Sequence, residues 1–370
     1  MKLIIMKTPE FGAEVYKRLC TIVEKLEYDL TGFIAFGDEE AFKMFENYPV
    51  YPLSNINQLE WDFAVLCCNT TLMQKVLPMF EKMNIPADKI KNIWWILQQL
   101  MTKKYEDFGD KTIQDTLRYW KTHEISVFNQ HMDGVKDTMN EVFIDENCGL
   151  PYILFETVEG KNHKMYYPKN GGGYFQNVEG KNYVPNILRE QTPNSPHLYI
   201  TGKHKVNNGD ILIDAGVCEG NFALRYIDVC SKIYLFEPEP KWLEPLYYTF
   251  KDFEDKVTLV TKFVSETTKG AMITLDDVVE VQDKNIFLKM DIEGAEPGAL
   301  HGARKLLLNN KVKASVCSYH NSDDALKIKS IFQKYNYRVW TSNGYMIFTY
   351  DPNIWETADF RKGIVYAENY

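Results

Sequence analysis

The spacing of hydrophobic residues along the first hundred positions predicts strands that alternate with helices. Three short apolar runs are typical of buried strands, and they occupy residues 2–6, 30–36 and 63–67. Two longer segments carry apolar residues at helical spacing, over residues 13–26 and 72–83. Strands that alternate with helices indicate βαβ units and a parallel sheet. We therefore expect a small α/β domain over residues 1–95.

Between residues 96 and 195 the pattern is less regular, and we expect a helical and hairpin connector. One or two helices are predicted over residues 110–139, with an apolar face formed by Leu117, Trp120, Ile125 and Phe128. Short strand-like runs follow from residue 154 onward. The tetrapeptide Glu-Gly-Lys-Asn occurs at 159–162 and again at 179–182. Because glycine and asparagine favour turns, two hairpin turns of similar chemistry explain this repeat.

The C-terminal part, residues 196–370, again alternates strands with helices. Strands are predicted at 210–214, 233–236, 257–264, 286–290 and 314–318, and helices at 221–229, 297–308 and 322–335. The pair Asn343-Gly344 favours a tight turn, which predicts a hairpin between residues 337–341 and 345–350. We therefore expect an α/β fold with a mainly parallel sheet and an antiparallel C-terminal hairpin.

Composition narrows the functions open to this chain. Hydrophobic residues make up 45% and charged residues 25% of 370 positions, as in an ordinary soluble globular protein. The net charge of −9 argues against wrapping nucleic acid or lying on an anionic membrane. No apolar run is long enough to span a bilayer, and no signal-peptide pattern is present, so we predict a cytoplasmic protein. The seven scattered cysteines form no C-x-x-C pair, which favours buried reduced thiols.

The first strand-to-helix turn lacks the residues that a dinucleotide needs. A dinucleotide site has G-x-G-x-x-G there, because the backbone must approach the pyrophosphate closely. Residues 7–12 contain only Gly12, and Glu10 adds a negative charge. Residues 1–95 resemble, by pattern alone, the small Rossmann-like domains at the N-terminus of some sugar-modifying enzymes. We predict that this domain binds no dinucleotide.

The clearest motif is Ile-Leu-Ile-Asp-Ala-Gly-Val-Cys-Glu-Gly-Asn-Phe at 211–222. It reads as a strand, a glycine turn and a helix that begins at Asn221. Gly216 leaves room for a ligand against the backbone, and Gly220 lets the helix start close to the strand. Asp214 ends the strand, where ligands of open α/β sheets bind. A carboxylate there suits S-adenosylmethionine, which is cationic and has no phosphate, better than it suits a dinucleotide.

A second motif, Leu-Phe-Glu-Pro at 235–238, ends the next predicted strand. An acidic residue about 20 positions after a glycine loop can accept hydrogen bonds from both ribose hydroxyls. Glu237 follows Asp214 at that spacing, so we assign it to the cofactor ribose.

The third motif, residues 287–303, brings further carboxylates to the same edge of the sheet. Asp291 follows a strand directly, and His320 follows the next strand along the chain. Glu293 and Glu296 lie near a predicted helix start, where capping explains carboxylates. Asp291 and His320 are therefore the candidates for accepting a proton.

These motifs, together with Thr-Leu-Asp-Asp at 274–277, closely resemble those of the FkbM-type methyltransferases, a branch of the class I S-adenosylmethionine-dependent enzymes. The resemblance covers residues 195–350, with Ser195-Pro196-His197 and Gly209-Asp210 as further markers. Its most specific part is Lys289–Gly302. It implies a seven-stranded Rossmann-like sheet, S-adenosylmethionine as methyl donor and O-methylation of hydroxyls on sugars or other secondary metabolites. The family often has Ala-Asn between the glycines, where this chain has Val217-Cys218-Glu219.

We therefore predict a methyltransferase that acts on a small-molecule or glycan acceptor. The predicted cofactor-binding residues are Asp214, Gly216, Gly220, Asn221 and Glu237. Asp291 and His320 are the predicted catalytic residues, without a metal. An alternative has them ligate Mg²⁺ or Mn²⁺ with Glu293 or Asp276. Two other functions stay open, a dinucleotide-dependent oxidoreductase and a non-catalytic binding module.

Overall fold

The computed structural model describes residues 1–8, 12–36, 42–68, 70–127 and 138–370. The predictions for Glu10 and Phe128 lie outside these residues. The chain forms two compact units, Met1–Asn129 with Pro352–Asp359, and Gln130–Asp351 with Phe360–Tyr370. These units do not coincide with the three predicted segments, because residues 96–129 belong to the first unit and residues 130–195 to the second.

The first unit is built on a sheet whose described strands are mainly parallel, as predicted. Their order is β3-β4-β2-β1-β5-β6, and only the β3–β4 pair is antiparallel. The strands are β1 (Lys2–Lys7), β2 (Asp29–Ala35), β3 (Met44–Phe45), β4 (Tyr48–Pro52), β5 (Phe63–Leu66) and β6 (Ile90–Asn92). The helices are α1 (Ala13–Lys25), α2 (Thr70–Lys82), α3 (Ile93–Tyr105) and α4 (Lys111–Tyr119).

Helices cover both faces of this sheet, which explains the unbroken apolar run in β1. Leu3 and Ile5 pack with Tyr16 of α1, whereas Ile4 lies in a second core with Phe80 of α2. A strand buried on both faces has no polar side to alternate with its apolar side.

The second unit begins with short antiparallel strands. β9 pairs with β10, and β11 pairs with β12, so the two predicted hairpins are confirmed. Gly160 and Gly180 both have positive φ, at 76° and 86°, within the two repeated tetrapeptides. The strands are β7 (Met139–Glu141), β8 (Phe143–Ile144), β9 (Pro151–Glu156), β10 (Asn162–Tyr166), β11 (Gln176–Val178) and β12 (Lys181–Pro185).

The main sheet of the second unit has seven strands among the described residues, in the order β15-β14-β13-β18-β19-β21-β20. All neighbours are parallel except those of β21, which confirms the predicted fold class. The strands, with a separate two-stranded pair β16–β17, are β13 (Ile211–Ala215), β14 (Lys232–Phe236), β15 (Val257–Val260), β16 (Phe263–Val264), β17 (Met272–Ile273), β18 (Asn285–Met290), β19 (Lys311–Cys317), β20 (Arg338–Thr341) and β21 (Ile364–Glu368). The helices are α5 (Asn221–Arg225), α6 (Pro240–Phe250), α7 (Glu296–His301), α8 (Arg304–Asn309) and α9 (Asp324–Lys334).

Two predicted helices are shorter than expected. The helix predicted over 297–308 is divided into α7 and α8 at Gly302, where an added Cβ would lie 2.3 Å from the Ser265 carbonyl oxygen. The helix predicted over 221–229 ends at Arg225. The following turn brings the Val229 carbonyl to the Gly209 N–H at 2.8 Å. A close backbone contact thus lies at the break between α7 and α8 and in the turn that follows α5.

The predicted C-terminal hairpin is wrong in its second strand. β20 pairs with β21, not with residues 345–350, of which Met346 forms an isolated bridge with Arg361. The reason is that the chain between β20 and β21 contributes Pro352–Asp359 to the first unit. This segment contains α10 (Ile354–Thr357), and Trp355 stacks on Trp94 with ring centroids 5.5 Å apart.

Within the described residues, no helix has the length and apolar character needed to cross a membrane.

Candidate active site

The glycine loop after β13 lies directly against Asp291. Gly216 has a φ of 80°, and an added Cβ would be 1.7 Å from the Asp291 carbonyl oxygen. Gly220 has a φ of 88°, and a Cβ there would be 3.0 Å from atoms of both Leu246 and Phe250. The chain needs glycine at both positions for two reasons, positive φ and close packing.

Asp214 lies beneath this loop and not on its surface. Its side chain is fully buried, and its Oδ1 is 3.0 Å from Lys289 Nζ. Lys289 also donates a hydrogen bond to the Gly216 carbonyl oxygen. Burial alone would lower the pKa of Lys289, but the charges of Asp214 and Asp291 raise it. The buried pair of Asp214 and Lys289 therefore supports the loop from below. This geometry does not favour the predicted direct contact between Asp214 and a cofactor.

Glu237 follows β14 and faces the loop, as predicted. Its Oε2 accepts from the Cys218 N–H and its Oε1 from the Glu239 N–H, both at 2.8 Å. Burial raises the pKa of Glu237, and the two N–H groups oppose that shift. A carboxylate offers about four lone-pair sites, so acceptor capacity is left for two more hydroxyl groups.

Asn221 begins α5 at the end of the loop. Its Nδ2 donates to Glu219 Oε1 at 2.7 Å, with the Ile187 carbonyl oxygen at 3.4 Å. The side chain of Asn221 therefore contacts the loop itself.

Asp291 and His320 come together as predicted, within a larger cluster. The Asp291 carboxylate accepts from the Tyr199 hydroxyl at 2.9 Å and from the Tyr319 hydroxyl at 3.3 Å. The Nε2 atoms of His197 and His320 each lie 3.4 Å from it. The Asp291 side chain is 19% exposed, so a small ligand group can reach it.

Contacts within the cluster shift the pKa values of Asp291 and His197 so that both groups stay charged. Burial opposes ionisation of Asp291, but the hydrogen bond and charge of His197, with Lys289 and His320, hold its pKa well below the usual range. Burial would lower the pKa of His197, yet hydrogen bonds to Asp291 and Glu190 raise it to about 9. Asp291 is therefore a carboxylate anion beside a cationic imidazole at neutral pH.

His320 also faces two glutamates. Its Nδ1 is 3.1 Å from Glu296 Oε1, and its Nε2 is 3.6 Å from Glu293 Oε2. Burial would lower the pKa of His320, but the hydrogen bond and charge of Glu296 raise it. Glu296 was expected to cap a helix. It is instead fully buried against His320, and its Oε1 accepts from the Ile292 N–H at 2.8 Å.

The donor set also bears on the metal alternative. Ligand atoms of Asp291, Glu296 and His320 lie within 4.8 Å of one another, as do those of His197, Asp291 and Cys317. Asp276 is occupied elsewhere, because its carboxylate accepts from the N–H groups of Lys305 and Leu306 at the start of α8. The cationic Lys289 and His197 beside Asp291 make this cluster unfavourable for a divalent cation.

Motif spacing missed several members of the cluster, namely Lys289, His197, Tyr199, Tyr319 and Glu296. Two of them had a signal in the sequence. His197 ends the Ser195-Pro196-His197 marker. Lys289 precedes Asp291 by two positions, and residues two apart along a strand point to the same face of the sheet. The tyrosines had none, because their roles depend on contacts across 92 and 28 positions of the chain.

A cleft of about 530 Å³ lies in the same unit. Its wall contains aromatic side chains, amides and hydroxyls, and Arg225 is the charged side chain among the lining residues. Ser195 lines the cleft, and its Oγ accepts from the His197 N–H at 3.1 Å. Phe222 lines it too, and its ring centroid is 5.3 Å from that of Tyr199. A single layer of side chains therefore separates the cleft from the Asp291 cluster.

Comparison with known families identifies this part of the chain. Residues 245–339 match the family described as Methyltransferase FkbM domain. This part of the chain is therefore similar to an FkbM methyltransferase domain. No curated protein matches the chain.

Solved structures similar to this chain include the methyltransferase FkbM from Methylobacillus flagellatus KT, at 15% identity, a TM-score of 0.42, and coverage of 99% of this chain and 89% of that one. A putative methyltransferase from Streptococcus mutans in complex with SAH has 14% identity and a TM-score of 0.31, over 45% of this chain and 91% of that one. The fibrillarin pre-rRNA processing protein of Methanococcus jannaschii has 11% identity and a TM-score of 0.33, over 64% and 98% of the two chains.

S-adenosylmethionine is the cofactor of this family, and the residues present fit it. The loop from Gly216 to Gly220 presents backbone without side-chain bulk at its two ends. Glu237 has the acceptor capacity that two ribose hydroxyls require. Glu237 and the loop backbone would hold the cofactor, while Asp214 and Lys289 would keep the loop in place.

Proposed function

We propose that this protein transfers a methyl group to a hydroxyl oxygen of a sugar, a glycan or another secondary metabolite. The observation that carries the proposal is the Asp291 carboxylate, which is partly exposed and belongs to a residue whose backbone carbonyl lies against the glycine loop. A charged acceptor group at this point can orient a hydroxyl by its O–H hydrogen. Alignment of two reactants contributes much of the rate enhancement in a displacement of this kind.

When bound, S-adenosylmethionine supplies an electrophilic methyl group. The acceptor O–H becomes strongly acidic as its oxygen gains that methyl group, so a carboxylate of low pKa can still take the proton at Oδ1 or Oδ2. Asp291 therefore acts first as an orienting group and then as the proton acceptor. The nearby His320 Nε2 stabilises the anion before transfer, and the partly exposed carboxylate can afterwards release the proton to solvent.

The cleft lies behind the layer of side chains that includes Ser195 and Phe222, so it is not the place where the reacting hydroxyl meets Asp291. A nucleic-acid acceptor is not part of the proposal, because the chain carries a net charge of −9.

The test uses S-adenosylmethionine labelled with ¹³C in the methyl group and a panel of free and nucleotide-linked sugars. Wild-type protein should place the label on oxygen, as the methyl carbon shift and product mass will show. Asp291→Asn should keep cofactor affinity and lose about 10²–10⁴-fold in turnover, and a chelator should change nothing.

Asp323→Asn is the matched control, because Asp323 is exposed and pairs with Lys327 on α9. Labelled nitrogen or carbon would contradict O-methylation. Full turnover in Asp291→Asn, or chelator inhibition reversed by Mg²⁺, would contradict a metal-free role for Asp291.

A further inference from the structure

Arg361, just before β21, is buried and bound to the backbone of the active-site strand end. Its Nη1 donates to the carbonyl oxygens of Tyr319 at 3.0 Å and His320 at 2.7 Å. Its Nη2 lies 2.5 Å from Asp351 Oδ2 and 3.3 Å from Ser322 Oγ. The residue is only 3% exposed, so this arrangement is shielded from solvent.

The two carbonyls belong to the residues that hold Asp291 from this side. The Tyr319 hydroxyl and the His320 Nε2 both approach Asp291 Oδ1. Both residues follow β19 outside its hydrogen-bonded ladder, which ends at Cys317. The guanidinium therefore supplies partners that the sheet does not, and it fixes the direction in which both side chains leave the backbone.

Backbone contacts keep Arg361 and its neighbours in place. Arg361 exchanges two hydrogen bonds with Met346, at 2.8 and 2.9 Å. Ser318 donates from its N–H to the Gly363 carbonyl at 2.9 Å and from its hydroxyl to the Lys362 carbonyl at 2.8 Å. Residues 361–363 thus lie beside Ser318, the residue that directly precedes Tyr319 and His320.

Gly363 also reaches the segment that carries the second histidine. A Cβ added to Gly363 would lie 2.0 Å from the Pro196 carbonyl oxygen, and Pro196 directly precedes His197. Residues 361–363 therefore contact the backbone on both sides of the Asp291 carboxylate.

We propose that Arg361 and Gly363 are positioning residues, which set the places of His320 and His197 around Asp291. The proposal rests on the function proposed for Asp291. Stability alone is a weak reason for this buried charge pair, because apolar residues of similar volume often stabilise a fold as well. A guanidinium suits the task because its rigid fork can bond two carbonyls and a carboxylate together, whereas an ammonium acts as a point charge.

The experiment compares Arg361→Lys, Gly363→Ala and the double variant Arg361→Met with Asp351→Leu, which removes both buried charges and guards against a failure to fold. Arg338→Met is the matched control, since Arg338 lies on β20, pairs with Glu368 of β21 and is 73% exposed. The full-length chain carries ¹³C in its histidine rings. The readouts are the ring resonances of His197 and His320, their pH midpoints, the dissociation constant for S-adenosylmethionine and turnover with the best acceptor.

We expect the His320 resonance and midpoint to move in both Arg361 variants, and those of His197 to move in Gly363→Ala. Turnover should fall by about 10²-fold, the cost of an ångström-scale misplacement, while cofactor affinity and the control stay at wild-type values. Arg361→Lys should lose less than the double variant. Unchanged histidine resonances in a folded Arg361→Lys variant would overturn the proposal. Moved resonances in a protein without methyl transfer would instead leave the positioning role intact and contradict the function.

Discussion

At the scale of single residues, Asp291 shows how its surroundings lower the basicity of a carboxylate. Two tyrosine hydroxyls and two imidazoles surround it, so it binds a proton weakly. A strong base would remove the acceptor proton before methyl transfer begins. In the proposed reaction, Asp291 first aligns the acceptor and takes its proton late.

Glu237 should make a measurable contribution to cofactor binding. Replacing it with alanine removes hydrogen bonds to a charged group, each worth roughly 1.5–3 kcal/mol, and frees the Cys218 N–H. We expect Glu237→Ala to weaken S-adenosylmethionine binding by about 10- to 150-fold for each ribose hydrogen bond that is lost, and Glu237→Asp to recover part of that loss. Isothermal titration calorimetry measures both, and equal dissociation constants in all three proteins would exclude the assigned role.

His197 should make stability depend on pH. Its folded pKa of about 9 lies above the ordinary histidine value of 6.5, so its stabilisation is complete below pH 6.5 and is lost as pH rises through 9. The largest loss is about 3 kcal/mol for a shift of this size. The urea midpoint of the wild type should fall over this window, and His197→Gln should flatten the fall. An equally steep fall in His197→Gln would assign the dependence to other groups.

Residue types and their spacing predicted which residues follow the strands. They could not predict the contacts between residues that are far apart in the chain. Asp291, His320 and Glu237 each follow a strand, and parallel strands bring such residues to one edge. Glu296 could not be assigned correctly, because a glutamate at a helix start is ordinarily a cap. Its burial against His320 depends on how α7 packs after β18.

At the scale of elements, the glycine loop and β18 form one structure. Asp291 donates its N–H to the Ala215 carbonyl at 2.9 Å, and its own carbonyl occupies the space beside Gly216. The loop conformation and the place of Asp291 are therefore determined together.

Gly216→Ala should disrupt both. The new methyl group would lie 1.7 Å from the Asp291 carbonyl oxygen, and alanine disfavours a φ of 80°. We expect S-adenosylmethionine binding to become undetectable by calorimetry, while far-ultraviolet circular dichroism stays near that of the wild type. Gly298→Ala on α7 is the control, since its Cβ would meet only Glu266 Cβ at 4.0 Å. Tight binding in Gly216→Ala would mean that the loop tolerates displacement and does not define the cofactor site.

Strands with strong apolar patterns were predicted to within a few residues, and the C-terminal hairpin was not. Asn343-Gly344 is a good local turn signal. Local turn chemistry cannot show that the chain travels to another unit before it returns as β21. The segment belongs to the first unit, where Trp355 stacks on Trp94.

At the scale of the whole molecule, the two α/β units could bind S-adenosylmethionine or NAD. Measuring the unfolding temperature with each ligand distinguishes these two hypotheses. S-adenosylmethionine should raise the unfolding temperature of the full chain, because a ligand that binds only the native state stabilises it. NAD should leave that temperature unchanged, since residues 7–12 lack the required glycines. Stabilisation by NAD alone would favour an oxidoreductase, and stabilisation by neither would favour a non-catalytic module.

The segment Pro352–Asp359 belongs to the first unit although it lies far along the chain from the rest of that unit. The polypeptide passes from one unit to the other near residue 129, returns after Asp351, and leaves again before Phe360. One cut by a protease at any of these crossings would leave the units covalently joined through another. Deleting residues 1–129 would strand the Trp355 indole without the Trp94 ring on which it stacks. A single recombination event that removed the codons for residues 1–129 would therefore leave residues 352–359 in the protein. The apolar surface of Trp355 would then be exposed.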